Sequence, residues 1–150
     1  METKLDIRQL SLEQLITQIA DLGEKKFRAR QIYEWLWKKR ATDFNQMTNL
    51  TKSLRETLKE HFIINEIFLQ EAQKSKDKTI KNTFLLADSS VIEGVLIPTK
   101  KRMTACVSVQ VGCSLDCAFC ATGKLKKVRN LNADEIFDQV VIINEQSNKE

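Results

Sequence analysis

Three cysteines stand within the nine residues GCSLDCAFC, at positions 112–120, and the chain's remaining cysteine, Cys106, lies seven residues before the first of them. The spacing C-x3-C-x2-C lets the thiolates of Cys113, Cys117 and Cys120 converge from one loop on a single centre. Zinc is usually held by four ligands arriving as two pairs. Here only three are local, and the single histidine, His61, lies far upstream. A [4Fe–4S] cluster held by three cysteines leaves one iron without a protein ligand, free to bind a substrate or cofactor. That asymmetry points to catalysis; the competing reading is a zinc site completed by Cys106.

The elements around the loop predict how it is held. TACVSVQVG, before it, is a β-branched run of the kind found in a buried parallel strand. After it, Asn132 heads a capping box, N-A-D-E, and Ile136, Phe137, Val140, Val141 and Ile143 build a helix. Upstream, TIKNTFLLA and VIEGVLIP flank the turn-like DSS and predict a β-hairpin, entered through a charged linker, QEAQKSKDK. Glu93 interrupts the second run. It reads either as an edge-strand charge that discourages aggregation or, if buried, as a carboxyl with a raised pKa suited to proton transfer. Cys106, taken alone, reads as a small buried apolar residue on a strand.

The first part of the chain is helical in pattern. Ser11 and Gln14 form a capping box ahead of Leu12, Leu15, Ile16 and Ile19, with Gly23 as a stop. A second helix is predicted from about Phe27 to Arg40, with Phe27, Ile32, Trp35 and Leu36 as core. A third is predicted from about Leu50 to His61, with Leu50, Leu54, Leu58 and Phe62 on one stripe. Lys25, Lys26, Arg28 and Arg30 crowd the start of the second helix, against its macrodipole, which suggests a role other than helix stability. Together with Tyr33 and Trp37, candidates either for stacking on bases or for the core, they make a candidate nucleic-acid surface. The alternative for the cations is a solvated helix face.

Composition sets the frame. The chain has 150 residues, 42% of them apolar, and a net charge of +4, so it predicts a folded α+β protein of about one domain's length. No segment approaches the roughly 18 to 20 apolar residues of a membrane span and no signal peptide is evident, which reads as cytoplasmic and membrane-free. Clustered cysteines in a reducing compartment favour metal or redox chemistry over structural disulfides. The predicted organisation is a helical accessory domain over 1–66, a linker and β-hairpin over 67–98, and the start of a catalytic core over 99–150.

With Phe119 between its last two cysteines, C-x3-C-x-aromatic-C resembles the signature of the radical S-adenosylmethionine enzymes. The segments LGEKKFRARQIYEWLW, IEGVLIP, CVSVQVGCSLDCAFCATG and VRNL, in that order, resemble the bacterial radical S-adenosylmethionine RNA adenine-C2 methyltransferases. The resemblance spans essentially the whole chain. It implies a small helical RNA-binding domain followed by a partial (β/α) barrel, here its first strand, loop and helix. It also implies methylation of carbon 2 of adenine in 23S rRNA and tRNA, with a [4Fe–4S] cluster and S-adenosylmethionine as cofactors. A flavodoxin-like reductant and a monomeric full-length enzyme are implied as well.

By their places in the motifs, Cys113, Cys117 and Cys120 are the implied cluster ligands and Phe119 the neighbour of the cofactor's adenine. Glu93 is the implied proton acceptor. Cys106 is implied to resolve a covalent RNA adduct and to be able to form a disulfide with a C-terminal cysteine that also carries the methyl group in a methyl-cysteine relay. No cysteine follows Cys120. The expectation is therefore a fragment or truncated product, inactive alone. Two alternatives stand beside this reading: the sister activity that methylates adenine carbon 8, and a non-catalytic basic RNA-binding module with a zinc-filled cysteine loop.

Overall fold

The computed structural model describes residues 4–115, Ala118 and residues 124–148, and Cys117, Phe119 and Cys120 lie outside them. The chain divides into a helical unit, Met1–Asn65, and a sheet unit, Glu66–Glu150.

In the helical unit, α1 (Leu12–Asp21) begins where the Ser11 and Gln14 pattern places it. The Gln14 amide donates to Ser11 Oγ at 3.2 Å and the Ser11 amide to Gln14 Oε1 at 2.8 Å, so two of the orphan donors of the first turn are satisfied. The second helix, α2, covers Phe27–Trp37 and stops short of Arg40, whose φ of 58° is left-handed. The third, α3 (Lys52–His61), starts after Thr51, whose hydroxyl accepts from the Leu54 amide at 3.2 Å. Short parallel strands β1 (Leu5–Asp6) and β2 (Phe62–Ile63) tie the start of the unit to its end. Buried Asp6 reinforces them, accepting from the amides of Arg8 and Asn65.

Leu15, Ile19, Ala29, Ile32, Leu36, Met47, Leu54 and Leu58 make the core. Phe27, expected there, is 49% exposed. The stripe on α2 is Ala29, Ile32 and Leu36, at helical spacing, and Phe27 lies two residues off it, on nearly the opposite side of the helix.

The sheet unit is built on four antiparallel strands in the order β3 (Phe68–Lys74), β4 (Ile80–Leu85), β5 (Val91–Pro98) and β6 (Met103–Cys106). Beyond them, β7 (Gln110–Val111) pairs with β8 (Arg129–Asn130), and α4 runs Ala133–Ser147. One sheet face carries Ile80, Phe84, Ile92 and Leu96, buried together with Ile143 of α4. Gly94 makes this packing possible: a Cβ there would stand 3.0 Å from Phe84 Cε2 and 3.2 Å from Ile143 Cδ1.

Two expectations are corrected here. The charged segment expected to be a linker supplies β3, an edge strand with every residue exposed. Its pairing is carried by backbone hydrogen bonds to β4, which a polar side-chain pattern does not announce. The run expected to be one buried parallel strand is two short pieces: β6 lies antiparallel to β5 with all four residues exposed, and β7 pairs antiparallel with β8. The break falls at Ser108, whose backbone bonds are taken by a side chain of α4.

Candidate active site

The cysteine loop leaves and re-enters the sheet unit through a pinched neck. Val128 donates from its amide to the Val111 carbonyl at 2.9 Å, and the Cys113 amide donates to the Leu125 carbonyl at 3.0 Å. Between these bonds sits Gly112, with φ +70°, and a Cβ on it would fall 2.2 Å from the Lys126 carbonyl oxygen. Only glycine gives both the left-handed backbone and the close approach. Cys113 is therefore held at the root of the loop, half-buried, and its Sγ accepts from the Leu115 amide at 3.4 Å. An amide aimed at sulfur suits a thiolate ligand, because hydrogen bonds to cluster sulfurs are among the protein's means of tuning such a centre. Among the described residues no three His, Cys, Asp or Glu side chains gather around a common point.

Glu93 and Cys106 occupy the sheet face opposite α4. Cys106 pairs across the ladder with Val95, and Glu93 lies two residues before Val95 on the same strand, so all three project to one side. Both Glu93 and Cys106 are exposed. Glu93 is thus neither the edge-strand charge nor the buried carboxyl that its sequence context allowed, since β5 lies between β4 and β6. Nor is Cys106 buried: it is a free, exposed thiol with no disulfide partner among the described residues. Lys81, directly across from Val95 on the other flank, reaches Glu93 at 2.8 Å. Hydrogen bonding to Glu93 and its charge hold the Lys81 ammonium above its usual pKa.

Three polar contacts, not recognised in the sequence, fix α4 to this scaffold. Fully buried Gln139 accepts from the Ser108 amide at 2.9 Å and donates to the Ser108 carbonyl at 3.0 Å, while the Ser108 hydroxyl donates to the Glu93 carbonyl at 2.7 Å. Asn82 and Gln146 exchange amide hydrogen bonds at 2.9 and 2.7 Å. Arg129 forks onto Glu135 at 2.8 and 2.7 Å and reaches Asp88 at 2.8 Å. Glu135 is also the acceptor of the Asn132 capping box. The Arg129 guanidinium draws the Asp88 carboxyl down to about 2, and its own pKa is raised in turn by Glu135 and Asp88. Arg129 belongs to VRNL, one of the segments that carry the resemblance.

In the helical unit, Lys25, Lys26 and Arg30 are exposed. No side chain caps α2, and its first turn has no acid. Arg28 differs: its guanidinium lies 4.8 Å above the Phe27 ring and donates to Gln31 and to the Asn49 carbonyl. It braces α2 against the loop before α3. Tyr33 and Trp37 pack partly buried on the core with ring centroids 6.0 Å apart, which is the core alternative. No helix among the described residues is long and apolar enough to cross a membrane.

Known proteins resemble the helical unit by itself and the chain as a whole. Residues 5–64 match the ribosomal RNA large subunit methyltransferase N-terminal domain. Over 146 residues, 97% of the chain, it is 56% identical to the probable dual-specificity RNA methyltransferase RlmN of Christiangramia forsetii, of which it covers 42%. The corresponding protein of Flavobacterium johnsoniae is 52% identical over 96% of the chain and is covered to 41%. A crystal structure of a radical SAM methyltransferase from Sphaerobacter thermophilus superposes with a TM-score of 0.79 at 36% identity, covering 97% of this chain and 43% of that one. The chain thus spans about two fifths of the length of the relatives it matches.

Proposed function

From the premise that the chain is a relative of the RlmN RNA methyltransferases, we propose that it forms the part of a radical S-adenosylmethionine RNA methyltransferase that carries the cluster loop and part of the reacting face. The substrate is adenine carbon 2 in 23S rRNA and tRNA, and the strand–loop–helix from β7 to α4 is the opening of the partial (β/α) barrel. The observation that carries this reading is the exposure of Glu93 and Cys106 side by side on one sheet face, a proton acceptor next to a thiol on a surface open to a large substrate.

The resemblance gives Phe119 a role at the adenine of S-adenosylmethionine, and Cys113, Cys117 and Cys120 would hold a [4Fe–4S] cluster. The half-buried Cys113 sulfur, with an amide directed at it, fits that role. When bound, the cluster supplies the electron that cleaves S-adenosylmethionine, delivered by a flavodoxin-like reductant. The chain's own residues then act on the base. Glu93, oriented by Lys81, accepts the proton leaving carbon 2, and Cys106 attacks the sulfur of the methyl-carrying cysteine, so that a disulfide forms as the carbon–sulfur bond breaks and the freed carbon takes a proton; the adduct's unpaired electron would return to the oxidised cluster. The methyl-carrying cysteine is supplied from outside these 150 residues.

The test is anaerobic reconstitution of the chain with iron and sulfide. Close to four irons per chain and the EPR signal of a reduced [4Fe–4S] cluster are expected, both lost in Cys113→Ala. One equivalent of tightly bound zinc with no cluster signal would overturn the assignment.

A further inference from the structure

Strand order brings two turns to the same end of the sheet. In a ladder β3–β4–β5–β6 with every pair antiparallel, the β3–β4 turn and the β5–β6 turn meet at one end, and the β4–β5 turn lies at the other. Residues 75–79 of the first turn read SKDKT, and residues 99–102 of the second read TKKR. Lys76, Lys78, Lys100, Lys101 and Arg102 are all exposed. With Asp77 subtracted, the local excess equals the net charge of the whole chain, +4, so the rest of the protein is neutral in sum.

The one acid among these residues offsets only one of the five cations. Asp77 accepts from the Thr79 amide at 3.0 Å and the Thr79 hydroxyl at 3.1 Å, shaping its own turn. Thr99 shapes the second turn, its amide and hydroxyl donating to the Arg102 carbonyl at 2.8 and 2.9 Å. Asp77, Lys78, Pro98, Thr99, Lys100 and Met103 border a common depression of about 500 Å³. Two ordered turns thus each place one cation, Lys78 and Lys100, on the border of one concavity, with Lys76, Lys101 and Arg102 exposed on the same turns, which focuses positive potential at this end of the sheet.

We propose that these two turns bind the phosphate backbone of the RNA whose base reacts on the face bearing Glu93 and Cys106. The inference rests on the reading of that face given above and extends it to a contact surface not on the helical unit. Along β6, Cys106 is three residues from Met103, about 10 Å at strand rise, so the turns border the reacting face at the distance of neighbouring nucleotides. A nucleic acid is favoured over an anionic membrane because the cations stand on two hairpin turns, without the amphipathic helix that interfacial binding uses.

The experiment titrates the chain against a 17-nucleotide RNA stem-loop with an adenosine in the loop, over a range of salt. The parent is compared with Lys100→Gln/Lys101→Gln/Arg102→Gln, with Lys76→Gln/Lys78→Gln and with Lys25→Gln/Lys26→Gln, each checked by thermal unfolding. The triple variant should bind about tenfold or more weakly at low salt, and the slope of log affinity against log salt should fall by about 2, at roughly 0.7 per single-strand phosphate contact. The Lys76/Lys78 variant should lower the slope by about 1. If both turn variants bind like the parent while Lys25→Gln/Lys26→Gln does not, the proposal is overturned and RNA binding by the helical unit stands. If the turn variants lose only binding to vesicles rich in phosphatidylserine, the partner is a membrane and the proposal fails. If the parent binds no RNA even at low salt, both this inference and the RNA-facing reading fall.

Discussion

The side-chain amide of Gln139 closes both backbone hydrogen bonds of Ser108, as a neighbouring strand would, from the middle of a helix. Through this contact α4 ends β6 just past Cys106 and turns the chain toward the cysteine loop. Gln139 also donates to the Glu135 carbonyl one turn back, which fixes its orientation.

Replacing Gln139 by Leu preserves bulk but leaves a part-buried amide and carbonyl without partners. A loss of about 2 to 6 kcal/mol in urea unfolding is expected for the two stranded groups, at roughly 1 to 3 each. Gln139→Glu should be at least as destabilising as the Leu variant at neutral pH, because an ionised carboxylate would be buried against the Ser108 and Glu135 carbonyls. Equal stability of the Leu variant and the parent would show that the contact is dispensable.

Gly112→Ala should open the neck of the loop. A methyl group 2.2 Å from the Lys126 carbonyl cannot be accommodated without backbone movement, and the φ of +70° adds its own cost. Hydrogen exchange should speed at the amides of Cys113 and Val128, which close the neck, while α1 amides in the helical unit exchange as before. Unchanged exchange at both neck amides would contradict this.

Acid should weaken the Arg129–Asp88 contact in a defined window. Asp88 titrates at about 2 when folded, below its ordinary value of 3.8, because Arg129 donates to it. A depressed carboxylate contributes stability that is complete above the unfolded pKa and disappears as pH falls through the folded one. The contribution is therefore present above about pH 4 and lost toward pH 2. Asp88→Asn should be less stable than the parent at pH 5, with the difference shrinking by pH 2.5. The effect is modest because the Asp88 side chain is 44% exposed.

Lys81 should govern the charge around the exposed thiol. Glu93 sits diagonally across the ladder from Cys106, about 7 to 8 Å away by strand geometry. Lys81→Gln removes the 2.8 Å partner of that carboxylate and leaves its negative charge uncompensated beside the thiol, which repels an anionic reagent such as iodoacetate. At that separation in water the interaction is about 0.5 kcal/mol, so alkylation of Cys106 at fixed pH, read by peptide mass spectrometry, should slow about twofold. Glu93→Gln should speed it by a similar factor, and a Lys81→Arg variant should behave like the parent. Identical rates in all four chains would remove Lys81 from the site.

Local signals carried much of the fold. The capping boxes at Ser11 and Asn132 each depend on residues three apart, and both helices begin where those pairs place them. Leu54, Leu58 and Phe62 are buried as their spacing required. β3 is not legible in the sequence because an exposed edge strand has no burial pattern to read, only a partner. Phe27 is apolar, which points it to the core, but its angular position on α2 lies off the buried stripe and exposes it.

The sequence by itself determined which residues could do chemistry: the C-x3-C-x2-C spacing, the thiol set apart at Cys106 and the carboxylate at Glu93 are covalent facts, readable wherever the chain goes. Tertiary structure alone decided where Glu93 and Cys106 stand. Glu93 and Cys106 are thirteen residues apart and become neighbours only because β5 and β6 pair with Val95 opposite Cys106. Their common exposure follows because α4 covers the other face, held there by Gln139, Gln146 and Glu135. Pairing register and helix placement are set by contacts between distant parts of the chain, and no local run of residues contains them.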